Sequence, residues 1–258
     1  MIKKKKLNFL TKNGYLILEN VFTKNQTNTY KKKLDYILDK RIKKKQVMGS
    51  HDNTVMYNYF VDDKSLLELI HIPKIHKILE KILEPNYVLQ SSNAQNRIIS
   101  KVENKIANKK YSIGRTWHTD SRYLNNKRLC KGFSYLVIIA LDEFNHLNGP
   151  TKFIEKSINN LDKPKRVLKL KYKELIMKQG SVCIMDTGMW HKAGKSSNNS
   201  RWSIFSIYTG WFVKPYFDYY KFIKKNKLDE KYKKLLHYYS KPPDVNEHRN
   251  TVTPIKIT

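Results

Sequence analysis

Apolar residues recur along the chain in two rhythms, and the change between them falls near residue 87. The opening stretch from Phe9 to Phe22 reads as the end of a short helix, a turn at Gly14 and an apolar strand through Tyr15-Leu16-Ile17-Leu18. Thr23 with Gln26 three residues later is a capping-box signature that predicts a helix start. Behind it Tyr30, Leu34, Ile37, Leu38 and Ile42 repeat at helical spacing, and Lys43 to Lys45 suit the negative end of a helix dipole. A second helical pattern covers Leu66 to Leu83, with Pro73 expected to break or kink it.

From Tyr87 onward the runs shorten, become rich in β-branched and aromatic residues, and are separated by Gly, Asn and Lys turns. Strands are predicted near Tyr87–Ser92, Gln95–Ser100, Phe133–Leu141, Lys152–Glu155, Val167–Leu170, Ser181–Met185 and Trp202–Tyr208. Phe217 to Tyr239 returns to an amphipathic helical pattern, and Lys241-Pro242-Pro243 opens an irregular tail. Many short strands with few helices between them predict an antiparallel barrel or double-sheet jelly roll. The expected organisation is one domain over 1–258: a helical N-terminal part, 1–86, packed on a β core, 87–212, then a helical tail, 213–258.

With 258 residues, 40% of them hydrophobic and 12% aromatic, the chain can bury a core and is too aromatic for disorder. Its 51 Lys and Arg against 22 Asp and Glu give a formal charge of +29, a field that attracts phosphates, nucleic acid or anionic surfaces. Most of the excess is Lys scattered among Asn and Ile, the mixture that a coding bias toward A and T places in solvated positions. No run approaches the ~18 apolar residues of a membrane span, and Leu7 to Leu10 is too short for a secretory signal. A cytoplasmic protein with Cys130 and Cys183 as reduced thiols is the expectation.

Trp117-His118-Thr119-Asp120 is the first candidate for chemistry. Residues two apart on a strand share a face, so His118 and Asp120 can grip one ion. The spacing alone means little: 8 His and 12 Asp in this chain give roughly 0.4 chance matches. A buried strand through Val182-Cys183-Ile184-Met185-Asp186 ends in a turn that delivers His191. Two imidazoles and a carboxylate leave three positions open on an octahedral metal, the arrangement suited to non-haem Fe(II). One strand further on, Arg201 offers a planar charged fork for a dicarboxylate, and Ser203, two residues away, can share that load.

Taken in order, these motifs resemble the phytanoyl-CoA dioxygenase-like family of Fe(II)/2-oxoglutarate oxygenases across most of the chain. The opening Asn13-Gly14-Tyr15 through Phe22, Trp117-His118-Thr119-Asp120, Ala140-Leu141-Asp142 with Asn148-Gly149-Pro150-Thr151, and His191-Lys192-Ala193-Gly194 with Asn198 or Asn199 and Arg201-Trp202-Ser203 carry the resemblance. It implies a double-stranded β-helix (jelly-roll, cupin-like) core with flanking N-terminal and C-terminal helices. It also implies His118, Asp120 and His191 as iron ligands, and Arg201 assisted by Ser203 as the anchor of 2-oxoglutarate. The activity it implies consumes O2 and 2-oxoglutarate, releases succinate and carbon dioxide, and usually hydroxylates a small organic or acyl-type substrate. Retention of Asp120 argues against halogenation, which in related enzymes needs that carboxylate replaced. The family often follows its Asn-Gly-Pro turn with a Pro-Gly-Ser-His loop. Here the stretch is Glu155-Lys156-Ser157-Ile158, with only the Ser kept. Gln95, Asn96 and Lys101 are open alternatives for the co-substrate's inner carboxylate.

Blander roles compete at each position. Trp117 and Trp190 can wall a pocket or simply pack, Arg115 and Arg122 can meet an anionic substrate or water, and Met185 and Met189 read as core filler. His71 and His76, five apart around Pro73, suit a structural role, whereas His51, His146, His237 and His248 show no partner pattern. Competing functions are a nucleic-acid oxidative dealkylase, which would want aromatics arranged along a basic groove, and a non-catalytic binding protein. Retention of all four site residues speaks against the latter.

Overall fold

The structure, a computed structural model, describes residues 4–50, 53–96, 116–121, 123–124, 127–128, 130–160, 171–194 and 200–240. Helix α1 (Lys4–Asn13) stops at Gly14, whose φ of +88° lets the chain turn directly into strand β1 (Tyr15–Leu18). A side chain there would strike Met189, with Cβ placed 2.4 Å from its sulfur, so the turn requires glycine. Helix α2 (Lys24–Lys43) begins at the predicted capping box: the Thr23 hydroxyl accepts from the Gln26 amide, and the Gln26 side chain accepts from the Thr23 amide. Pro73 starts helix α3 (Pro73–Ile82) at its first turn, where the missing N–H costs nothing. The stretch before it, Lys64–Leu69, is a separate 3₁₀ turn, so the predicted helical pattern is divided at the proline.

Strands β2 (Met48–Ser50), β3 (Asn53–Tyr57), β4 (Val88–Asn96), the short pair β5 (Tyr123–Leu124) and β6 (Lys127–Arg128), and β7 (Ser134–Ala140) follow. After them come β8 (Lys152–Phe153), β9 (Lys173–Glu174), β10 (Val182–Asp186), β11 (His191–Lys192) and β12 (Trp202–Thr209). A seven-stranded antiparallel sheet in the order β1-β10-β7-β12-β4-β3-β2 faces a small three-stranded sheet, β11-β8-β9. This is a jelly-roll core with flanking helices, as expected. The strand predicted after Gly14 is β1, and the N-terminal part is less helical than its pattern implied, since β2 and β3, not predicted, join it in the main sheet. β1 earns its place by pairing with β10 at one edge, and β3 and β2 extend the other beside β4. The predicted strands Tyr87–Ser92 and Gln95–Ser100 are one strand as far as Asn96; residues 97–100 and Val167–Leu170 lie outside the described residues. The predicted C-terminal helix is two short ones, Tyr220–Asn226 and Glu230–Leu235, because Lys227 takes a left-handed conformation between them.

Strand alternation divides the core in two. Tyr135, Val137, Ile139, Val182, Ile184, Trp202 and Ile204 face the helices, where they join Leu34, Leu38, Leu66, Ile75 and Leu79. Leu136, Ile138, Ala140, Cys183 and Met185 face the small sheet, where they join Phe144, Phe153, Ile158, Leu175, Met177 and Met189. Met185 and Met189 are core filler, as their sequence context suggested. Burial pushes the Cys183 thiol up to about 12, which leaves it an inert core group, while Cys130 is exposed and unbridged.

Candidate metal centre

His118 and His191 come from segments far apart in sequence that are locked together by a two-way backbone pair. The His118 amide donates to the His191 carbonyl (3.0 Å) and the His191 amide to that of His118 (2.9 Å). Their rings lie 4.3 Å apart between centroids. The Asp120 carboxylate closes the group at 3.9 Å from His118 Nε2 and 3.6 Å from His191 Nε2. One ligand atom from each of the three lies within 4.8 Å of the others, close enough to share a metal ion.

The imidazole tautomers follow from their neighbours. His118 Nδ1 lies 2.8 Å from the Thr116 carbonyl and His191 Nδ1 lies 2.9 Å from that of Met189. A carbonyl can only accept, so each Nδ1 carries a proton, and in the neutral ring each Nε2 is left with its lone pair to offer a metal. Burial, then the adjacent His191, holds the His118 imidazole below its ordinary pKa, which keeps that lone pair available. The donor set, two neutral imidazoles and a carboxylate, fits a divalent iron with open positions.

Two loops hold His191 in place. The Trp190 amide donates to the Ser157 hydroxyl (2.9 Å), and the Trp190 carbonyl accepts from Ile154 (2.9 Å). Ser157, the one residue kept from the family's loop pattern, thus braces the segment that carries a site histidine. Past it, Gly194 passes so near Pro150 that a Cβ would lie 2.2 Å from that carbonyl oxygen. Trp117 turns away from the three-residue group: Lys192 lies over its ring at 4.8 Å, and Tyr172 packs against it at 6.0 Å.

Arg201 and Ser203 occupy the inner face of the strand that includes β12, and both are fully buried. The Arg201 guanidinium lies 3.6 Å over the Phe144 ring. The Ser203 hydroxyl is buried with no hydrogen-bond partner among the described residues. A buried hydroxyl left without a hydrogen-bond partner is uncommon in native structures. Cross-strand register also separates two of the open alternatives. Gln95 pairs with Ser203 and shares its face, whereas Asn96 pairs with Trp202 on the opposite side and accepts from the Ser200 hydroxyl. Lys101, Arg115, Arg122, Asn198 and Asn199 lie outside the described residues.

Beside Gln95 runs a row of uncharged polar groups that sequence reasoning missed. The Asn53 amide donates to Gln95 (3.1 Å), the Gln95 amide donates to Asn93 (2.9 Å), and Tyr57 pairs with Asn93 across β3 and β4. Burial raises the Tyr57 phenol, and the charges of Tyr216 and Asp120 raise it further. The remaining histidines serve the fold. His71 and His76 stack at 4.2 Å; His76 meets the Ile70 carbonyl and the Tyr87 hydroxyl; His237 spans the Leu89 carbonyl and Ser240. His146 pairs with Glu174 at the surface, and His51 and His248 are outside the described residues.

The jelly roll and its two-histidine, one-carboxylate group define the class to which comparison with known proteins points. The phytanoyl-CoA dioxygenase family pattern matches residues 10–203, and the chain belongs to that family. No curated protein matches the chain by sequence. Among solved structures it is similar to the non-haem α-ketoglutarate-dependent carbocyclase SnoK of nogalamycin biosynthesis, with a TM-score of 0.64 at 14% identity over 88% of this chain and 91% of that one. The epimerase SnoN, in complex with Fe3+, α-ketoglutarate and nogalamycin RO, gives 0.63 at 13% identity over 82% and 86%. HygX from Streptomyces hygroscopicus, with nickel and 2-oxoglutarate bound, gives 0.61 at 10% identity over 84% and 91%. At these identities the likeness establishes the fold.

Proposed function

We propose that this protein is an Fe(II)- and 2-oxoglutarate-dependent dioxygenase that hydroxylates a small organic or acyl-type substrate. The observation that carries the reading is the convergence of His118, Asp120 and His191 within one ion's reach. Ferrous iron bound there supplies the activation of dioxygen, coupled to oxidative decarboxylation of 2-oxoglutarate to succinate and carbon dioxide. The two Nε2 atoms and the Asp120 carboxylate would hold the metal, three ligands of the kind that suits ferrous iron with positions to spare for its co-substrates. Arg201 binds the distal carboxylate through charge-assisted hydrogen bonds, strengthened by its desolvated place against Phe144. The Ser203 hydroxyl gains from that carboxylate the partner it otherwise lacks. Gln95, on the same face, is suited to the inner carboxylate.

The wall formed by Asn53, Val55, Tyr57, Ser91, Asn93 and Gln95 carries no formal charge, so the part of the substrate that meets it is neutral. Nucleic-acid dealkylation finds less support. The Lys192–Trp117 and Lys152–Tyr172 contacts spend their cations on their own aromatics rather than along a groove. No described helix is long and apolar enough to cross a membrane.

The test is succinate release with Fe(II), 2-oxoglutarate and oxygen, screened over neutral and acyl compounds, with product mass showing whether one oxygen is gained. Arg201→Ala is expected to raise the 2-oxoglutarate requirement far more than the iron requirement, and equal losses would remove the anchor role. A protein that binds neither iron nor 2-oxoglutarate under anaerobic titration would be a binding protein on an inherited fold.

A further inference from the structure

Asp120 is a ligand candidate whose own backbone is tethered, among the described residues, to Thr187. Its amide and that of Ser121 both donate to the Thr187 carbonyl, at 2.9 and 3.1 Å. Thr187 lies in the turn that leaves β10, and its own amide donates to the Ser134 carbonyl (3.1 Å) at the start of β7. The Thr187 hydroxyl is 2.6 Å from the Ser121 hydroxyl, 2.6 Å from the Ser134 hydroxyl and 3.2 Å from the Ser134 carbonyl. One proton assignment satisfies all four groups. Thr187 donates to the carbonyl, which can only accept, and its two lone pairs receive the protons of Ser121 and Ser134. Thr187, Ser121 and Ser134 are buried, so none of these bonds is readily replaced by water.

The same turn is pinned from its other side. The Asp186 carboxylate accepts from the Gly132 amide (2.8 Å) and the Gly188 amide (2.7 Å), which fixes the turn before Thr187 is placed. The Asp120 carboxylate, by contrast, has no hydrogen-bond donor within 3.5 Å among the described residues; the two imidazoles, at 3.9 and 3.6 Å, are the ionisable groups beside it. Its position is therefore inherited from the backbone beneath it. We propose that Thr187 is a positioning residue for the metal centre. Through its carbonyl and its hydroxyl, it sets where the Asp120 carboxylate stands relative to His118 and His191, with Ser121 and Ser134 as its two supports.

This inference rests on the metal reading above, and the experiment separates the two. Co(II) serves as the probe, titrated anaerobically into the full-length protein with its visible absorption as the readout. Thr187→Val keeps the shape and the backbone bonds but removes the hydroxyl; it is expected to weaken Co(II) affinity about 10-fold, the low end of the cost of losing an outer partner, because the hydroxyl reaches Asp120 through its neighbour Ser121. Thr187→Ser restores the hydroxyl and should bind within about 3-fold of wild type. Thr27→Val, a buried threonine on α2 remote from the centre, should leave affinity unchanged however much it alters melting. Should Thr187→Val fail to fold, Ser121→Ala removes one support and should cost several-fold in Co(II) affinity. Wild-type affinity in Thr187→Val, or in Ser121→Ala where that is the variant measured, overturns the proposal. So does an equal loss in Thr187→Val and Thr187→Ser, which would place the effect in packing. If Asp120→Asn binds Co(II) as wild type does, the metal reading itself fails, independently of Thr187.

Discussion

The inner face of the seven-stranded sheet has two halves built on the same alternation and used differently. Across β1, β10 and β7 the inward residues include Ile17, Cys183, Met185, Leu136, Ile138 and Ala140, sealed by Phe153, Leu175 and Met177. Across β12, β4 and β3 they include Ser203, Phe205, Asn93, Gln95, Val55 and Tyr57, several of them only half-buried. The strand geometry is common to both, so the difference lies in what covers them. Where the small sheet closes over the large one, apolar side chains meet and the face becomes a core. Beside Arg201 and Ser203 the face keeps polar groups that hydrogen-bond one another or, like the Ser203 hydroxyl, have no partner among the described residues. One half holds the fold; the other half is where binding is proposed.

Substitutions should separate the two halves by what they damage. The largest effect is expected at the centre that joins them: His191→Ala should abolish Fe(II) binding and succinate release, a loss beyond the ~10–100-fold of an outer partner, while the chain stays folded by circular dichroism. Next, Ile138→Ala in the sealed half should cost about 2–5 kcal/mol in urea unfolding and leave the 2-oxoglutarate KM near wild type. A variant of Ile138 that altered co-substrate affinity more than stability would erase the distinction.

The helix-covered face of the sheet supplies a third term, which depends on pH. Burial pushes His76 and His237 down to about 4, against 6.5 for a free imidazole, so folding favours their neutral forms. Between those values the unfolded chain binds more protons, and stability therefore falls as pH is lowered from 6.5 toward 4 and is fully present above 6.5. The expected loss is on the order of 2–3 kcal/mol for each histidine, read from urea midpoints across that range. His76→Gln with His237→Gln should flatten the slope.

The smallest effect belongs to the polar half. Ser203→Ala should raise the 2-oxoglutarate KM by about 3–10-fold, the worth of one hydrogen bond, and should leave stability unchanged or slightly improved, because an unsatisfied buried hydroxyl is removed. A marked destabilisation would mean that Ser203 serves the fold and not a ligand.

Much of this was legible in the chain itself. The Thr23–Gln26 capping box, the break at Pro73 and the strands around 134–140, 182–186 and 202–209 follow from local spacing and side-chain chemistry, while His118, Asp120, His191, Arg201 and Ser203 are singled out by the order of motifs that carries the family resemblance. Alternation tells which residues of one strand share a face, because it is a property of the strand alone. It says nothing of which strand lies alongside, so it left the predicted β1 without a partner and missed β2 and β3 in the main sheet. The partition between Gln95 and Asn96 depends on pairing with β12, where a one-residue slip would exchange them. The Thr187 hub with Ser121 and Ser134, and the brace from Ser157 to Trp190, join residues that no periodicity links. Sequence determined the donors and their faces; tertiary structure decided their neighbours, because pairing and burial are set by contacts between segments distant along the chain.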